Sequence, residues 1–325
     1  MPLTSRQQFL YGLFFCSLCV LFWSTLPIAL KLSGDFSDPV TLTWLRFSVA
    51  ALVLLAWQIQ QGKLKEFLTL SRKDWVTLLA AGSLLIINYS SFAWSLDYLH
   101  PGTAQLSFQV APLFLALGGL VFFKEKVRLQ QWACFAVLAV GMLTFFHPVL
   151  EGKAVGDPNT ILTGFLIVMM SAMAWCLYAL LQKALFSKLS PTNILLGIYV
   201  YAMLVMLPFS QPSELLSMNQ FEFWVAAFCC LNTLVAYGSL AKAMGYWQTV
   251  QVSAAIALTP VIAFIITEAC VQIGLWQGVI QSAHADALSL FGMALVVGAA
   301  ISVQFITAAL NKRQAKLESL ETSTA

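Results

Sequence analysis

The sequence predicts an all-α membrane protein of ten transmembrane helices, arranged as two inverted five-helix repeats. Three observations carry this. Apolar runs long enough to cross a bilayer recur along the chain. The basic residues collect in alternate connections between those runs. One spacing of Trp, Lys and Pro occurs twice.

The chain has 325 residues, of which 60% are hydrophobic and 10% charged. A soluble globular protein is about 25% charged, so fourteen acids and seventeen bases are too few to coat a soluble surface of this size. The apolar runs fall at 8–31, 39–58, 75–96, 102–123, 130–147, 160–184, 192–209, 221–241, 250–273 and 287–309. Each approaches the roughly 20 residues that a helix needs to cross the hydrocarbon core. Lipid leaves backbone polar groups unsatisfied, so each run is expected to be helical. Short alternating segments of the barrel type are absent from the sequence. The first run is expected to stay as an anchor, because no small-residue cleavage site follows it. All seven cysteines lie within apolar runs and read as packing residues.

With the N-terminus cytoplasmic, the inside connections hold Arg6, Lys63, Lys65, Arg72, Lys73, Lys124, Lys126, Arg128, Lys183, Lys188, Lys242, Lys312, Arg313 and Lys316. Only Lys31 and Lys153 fall outside, and Arg46 lies within the second span. This bias predicts both termini in the cytoplasm. The net charge of +3 is dispersed and makes no nucleic-acid surface. The connections are short, leaving no soluble catalytic or signalling domain, and the polar tail 310–325 is expected to fray.

Trp23, Lys31 and Pro39 are spaced by eight and eight residues, as are Trp175, Lys183 and Pro191. The first set bridges spans 1 and 2, and the second bridges spans 6 and 7. Pro112 in span 4 and Pro260 in span 9 follow at similar distances. This predicts a repeat over 8–147 and 160–309. Five spans are an odd number, so the second copy enters the membrane from the opposite side. Inverted repeats are a transporter signature.

These residues resemble the drug/metabolite transporter superfamily, in its ten-helix EamA-type branch. The resemblance rests on FWSTLPIALK, DPVTLTWLRFSVAALVLL and APLFLALGGLVFFKEKV in the first half, and on MAWCLYALLQK and ALTPVIAFIITE in the second. It implies a carrier of the bacterial inner membrane, often an exporter of amino acids or other small metabolites. One departure stands out. Glu125 follows Pro112 by thirteen residues, whereas Ile273 holds the matching place after Pro260, followed by GLWQGVIQSAHADA.

Charges within spans are expensive and come first among candidate residues. Arg46 lies seven residues into span 2, about 10 Å along a helix. It is expected to pair with Asp97 or Glu268, either as a structural clamp or as an outer gate. A coupling proton would have Glu268 as its one titratable carrier well inside a span. Gln105 and Gln109 share a helix face with Pro112. Pro112, Pro260 and Pro27 each lack an N–H and leave the carbonyl four residues back unpaired, those of Phe108, Ile256 and Trp23. Freed carbonyls beside amides suit a small polar substrate, or bind neighbouring helices. Asn88, Tyr89, Asn232, Tyr237, Gln251 and Ser253 add polar positions, and Trp23, Trp175 and Tyr178 add aromatic walls. Such a cavity favours uncharged or zwitterionic solutes.

His100, His147 and His284 fall in outside segments, two of them in His-Pro turns, and are not read as a metal site. No phosphate-cradling loop, zinc-protease motif or nucleophile triad is present, so neither cofactor nor metal is expected. The chain reads as a secondary transporter by alternating access, preferably an amino-acid exporter. An importer or drug exporter of the same fold is the alternative, and an intramembrane enzyme is the rival from another class. Ten helices enclose a pathway in one chain, so a monomer suffices, and a dimer is allowed.

Overall fold

A computed structural model describes residues 5–111, 114, 128–151, 157–247, 252 and 255–324. Every regular element among them is helical. The first half holds α1 (Ser5–Ser33), α2 (Pro39–Gln61), α3 (Arg72–Ser95), α4 (Pro101–Ser107) and α5 (Leu129–Phe145). The second holds α6 (Pro158–Leu185), α7 (Pro191–Met206), α8 (Gln220–Tyr246), α9 (Thr259–Gln272) and α10 (Ala287–Thr324). Six of them (α1, α2, α3, α6, α7, α8) are long and apolar enough to cross a membrane; α5, α9 and the Ala287–Val303 part of α10 are shorter apolar helices.

Sequence chemistry sets the boundaries. Pro39 and Pro191 sit in the first turns of α2 and α7, where the missing N–H has no intrahelical acceptor in any case. Asp38 caps α2 through Val40 N–H and Thr41 N–H. Gly62 closes α2 with φ 65°, the left-handed conformation that glycine adopts without strain. Ser71 and Asp74 form a capping box on α3, as do Asn219 and Glu222 on α8. The Trp–Lys–Pro spacing reappears as structure. Trp23 and Trp175 each stand ten residues before the end of their helices, at Ser33 and Leu185, and each proline opens the next helix.

Two expectations change. The tail 310–325 was expected to fray, but α10 runs on to Thr324. Lys, Arg, Ala, Gln, Leu and Glu dominate that stretch, and all are strong helix formers. Span 9 was expected as one helix over 250–273, but α9 starts at Thr259 after a turn at 257–258. Pro260 thus lies in a first turn and not inside a continuous helix.

The helices run back and forth between two ends. At the end called upper here, the Gln211 N–H donates to Thr41 Oγ1 at 2.9 Å, and His147 meets Asp286 at 3.2 Å. At the lower end, Glu66 accepts from Ser190, and Trp247 Nε1 donates to the Phe9 carbonyl. The chief helix pairs are α1 with α8, α3 with α6, α2 with α7, α4 with α9 and α5 with α10. Exchanging every helix with the one five places along the chain maps this set onto itself. All five pairs join one half to the other.

Small residues permit the closest pairs. A Cβ on Gly141 would lie 2.9 Å from the Gly292 carbonyl, where α5 crosses α10. Buried apolar clusters fill the space between helices, one around Phe47, Leu78 and Tyr199, another around Leu42, Leu96 and Cys229. Phe14, Leu52, Leu143 and Leu204 point outward, as a lipid-facing surface requires.

Candidate polar centre between the two halves

Two of the carbonyls freed by proline, those of Trp23 and Phe108, have partners. Pro27 removes the N–H that would bond Trp23, and Gln105 Nε2 of α4 donates to the Trp23 carbonyl at 3.0 Å. The Phe108 carbonyl takes the Ala111 N–H, because α4 tightens there into a 3₁₀ turn over Phe108–Val110. Gln109 lies in that turn, and its Nε2 reaches the Ala257 carbonyl at 3.1 Å. Ala257 belongs to the turn that precedes α9. The irregular segment of one half is thus tied to that of the other. Ser24 Oγ on α1 adds a bond to the Thr259 carbonyl at 3.1 Å. Pro112, Gln251 and Ser253 lie outside the described residues.

Asn88 and Asn232 perform matching tasks. Asn88 Nδ2 on α3 donates to the Ser171 carbonyl and Oγ on α6, at 3.1 and 2.9 Å. Asn232 Nδ2 on α8 donates to the Phe22 carbonyl on α1. The α3–α6 and α8–α1 pairs exchange under the pseudo-two-fold relation, so each half carries one such amide clamp.

Aromatic side chains stand beside these groups. Trp23 meets Tyr237 edge-on at 5.6 Å, and Trp175 meets Phe108 at 6.1 Å. Tyr89, Tyr178 and Tyr199 are buried in one cluster, against which Tyr237 and Trp175 pack.

Arg46 corrects a sequence expectation. Its pairing with Asp97 or Glu268 is not made. Arg46 is 2% exposed, and its Nε donates to Thr233 Oγ1 at 3.2 Å. The guanidinium carbon lies 4.6 Å from the centre of the Tyr89 ring, a cation–π distance. The two acids are held at the upper end. Glu268 accepts from Ser282 Oγ at 2.8 Å and from the Ala283 N–H at 2.7 Å. The unusual stretch after α9 therefore folds back onto this carboxylate. Its Oε1 also faces His100 Nε2 at 3.5 Å. Asp97 lies in the turn after α3, within range of the Lys31 charge. Burial raises its carboxyl, and Lys31 opposes that rise. Lys31 Nζ bonds the carbonyls of Leu96 and Leu99, a basic group on a helix C-terminus.

His100 caps α4, its Nδ1 accepting the Gly102 N–H at 3.1 Å. The neutral ring then carries its proton on Nε2, facing Glu268. Burial, aided by the Lys31 charge, pushes the imidazole down to about 3. The Glu268 contact is too long to reverse this.

Several contributors had no strong sequence signal. Thr233 and Tyr199 lie in apolar runs and gain meaning only through Arg46. At the lower end, Glu66 Oε2 accepts from Ser190 N and Oγ, both at 2.8 Å, and from Asn193 Nδ2 at 2.7 Å. Gln58 Nε2 completes the network on Asn193 Oδ1 at 2.7 Å. The Ser190 N–H is foremost in holding the Glu66 carboxyl below its usual value. The clue was an acid three residues past Lys63 in a connection, which reads equally as a solvated charge.

The sequence pattern of the EamA-like transporter family matches residues 10–146 and 162–279, one match in each half. An uncharacterized transporter of Haemophilus influenzae is 31% identical over 255 residues, 78% of this chain and 82% of the relative. The uncharacterized inner membrane transporter YhbE of Escherichia coli is 31% identical over 260 residues, 78% and 79% of the two chains. A probable sugar phosphate/phosphate translocator of Arabidopsis thaliana is 27% identical over 168 residues, 49% of this chain and 38% of the relative. A crystal structure with 18% identity superposes with a TM-score of 0.59, covering 92% of this chain and 98% of that one; it shares the fold. The chain is a multi-pass membrane transporter and a member of the EamA-like transporter family.

Proposed function

We propose that the protein is a secondary transporter that exports an amino acid or a related small metabolite by alternating access. The observation that carries this reading is the bond from Gln109 to the Ala257 carbonyl. It joins irregular backbone of α4 to irregular backbone of α9, one from each half. Transporters of repeated architecture place substrate at such interrupted helices.

In this reading the repeats are residues 8–147 and 160–309, inverted relative to each other, with 310–325 as a cytoplasmic extension. Both termini face the cytoplasm, because the lower end carries Lys63, Lys65, Arg72, Lys73 and Lys188. The YhbE relative's location supports placement in a bacterial inner membrane. Trp23, Tyr237, Gln105 and Gln109 face the pathway, and one chain forms it. Glu268 is the carrier of any coupling proton. A sugar phosphate, the cargo class in the Arabidopsis relative's name, is less well supported, since Arg46 is the one base buried between the halves among the described residues.

Cells preloaded with amino acids, with and without the protein, test the proposal. Faster loss of one or a few amino acids is expected, and Gln109→Ala should slow it. Equal loss across the whole panel would end the amino-acid reading.

A further inference from the structure

The geometry points to Arg46 as the binding site for a carboxylate of the transported solute. This rests on the transporter reading and adds the chemistry of one end of the cargo.

Arginine keeps its proton at any pH a cell reaches. A buried cation without a counter-charge is strongly unfavourable, and more so in a membrane. Arg46 has one hydrogen bond, from Nε to Thr233. Among the described residues, no acceptor reaches its terminal nitrogens, and no carboxylate pairs with it. Asp97 and Glu268, the acids nearest in depth by sequence, are engaged at the upper end. Tyr89 offers its ring face, which offsets part of the charge. A second polar group in the same cluster is also unsatisfied. Tyr199 is 1% exposed, and its hydroxyl approaches that of Tyr89 without a hydrogen bond of good geometry.

The position fits a substrate site. Arg46 on α2 and Tyr89 on α3 come from the first half, Tyr199 on α7 and Thr233 on α8 from the second. Arg46 lies about 10 Å along its helix from the upper end, and Thr233 about 20 Å along its own, which puts the group inside the hydrocarbon core. The free edge of the guanidinium presents two parallel N–H donors, the fork that a carboxylate accepts. A single carboxylate neutralises the single charge. A doubly charged phosphate would leave an excess negative charge in the same enclosure.

The test is binding, so that it stands apart from transport. The full chain in lipid nanodiscs is titrated with sodium acetate, with sodium chloride and sodium phosphate at matched ionic strength, and with acetamide. The unfolding temperature is followed. A saturable rise in acetate alone is expected, lost in Arg46→Gln and at least tenfold weaker in apparent affinity in Arg46→Lys. Should Arg46→Gln fail to fold, the Lys variant carries the comparison. An equal rise in chloride, phosphate or acetamide would overturn the assignment. So would an acetate rise unchanged in the Arg46 variants, or none in the native chain. Failure here leaves the export assay untouched, and acetate binding without export would retain the site and remove the exporter reading.

Discussion

The bond from Gln105 to the Trp23 carbonyl is predicted to exist because Pro27 removed that carbonyl's own partner. Replacing Gln105 by Leu keeps nearly the same volume and deletes the donor. The carbonyl is then orphaned in a partly buried site; full burial would cost about 1–3 kcal/mol in soluble proteins. Interhelical hydrogen bonds in membranes average nearer 0.6 kcal/mol, with values up to roughly 2. The 3.0 Å separation and the lack of a competing donor place this bond toward the upper part of that range. Pro27→Ala restores an N–H at the position that bonds Trp23 in a regular helix. In that background Gln105→Leu orphans nothing, so its cost should fall by about 1 kcal/mol. That exceeds the roughly 0.5 kcal/mol scatter of independent sites. Equilibrium unfolding in mixed micelles, read by tryptophan fluorescence, gives the four stabilities of the cycle. Additive effects would show that the proline and the amide are unrelated and that the reasoning is wrong.

His100 makes stability sensitive to acid. Its folded value lies near 3, against 6.5 for the free side chain. Between these values the unfolded chain takes up a proton that the folded chain refuses, so stability should fall as pH drops from about 6.5 toward 3. His100→Gln should flatten this part of the unfolding profile, and an unchanged profile would show that other groups dominate. Gly292→Leu should sharply reduce folded yield on size-exclusion chromatography, because a Cβ there would lie 2.7 Å from the Gly141 carbonyl. Gly298→Ala on the same helix, with open space around it, should leave the yield unchanged.

The architecture was legible because its signals are local. Apolar run length marked the six described helices long enough to cross, expected span 4 lies mostly outside the described residues, and Pro39 and Pro191 marked two helix starts that the structure keeps. The Trp–Lys–Pro spacing found the repeat because it records equal distances to helix ends in both halves. The proline-freed carbonyl of Trp23 was also readable, and so was the amide of Gln105. Their partnership was not, since 82 residues separate them and only packing brings α4 to α1. The Arg46 expectation failed for a related reason. Position along a span can be counted from the sequence, but helix rotation cannot. Rotation turns Arg46 toward Tyr89 and Thr233, and turns Glu268 toward the stretch after α9. That stretch departs from the first half in sequence, but its closure on a carboxylate depends on the chain folding back over α9.

The polar contacts between the halves differ in kind from centre to ends, and the difference bears on the proposed alternating access. At the lower end, Glu66 is ionised and accepts three short bonds from the start of α7. Charge-assisted bonds are about twice as strong as neutral ones, so the connection after α2 is firmly joined to the start of α7, and Gln58 of α2 adds a neutral bond to Asn193. At the upper end, the carboxylate of Glu268 is satisfied mainly by its own half, and the links between the halves are the long contact to His100, two neutral bonds (Gln211 N–H to Thr41 Oγ1 and Ser289 Oγ to the Phe145 carbonyl) and the His147–Asp286 contact. In the centre, Gln109 and Asn232 each donate across the halves to a single backbone carbonyl. Carbonyls recur along a helix every 1.5 Å of rise, so an amide that loses one on a small shift meets another. Such bonds are nearly conserved in number when helices slide, whereas the Glu66 network has one geometry. In the proposed cycle a conformational change therefore costs least if it pivots where the connection after α2 meets the start of α7, lets the central amides exchange partners, and separates the halves first at the upper end.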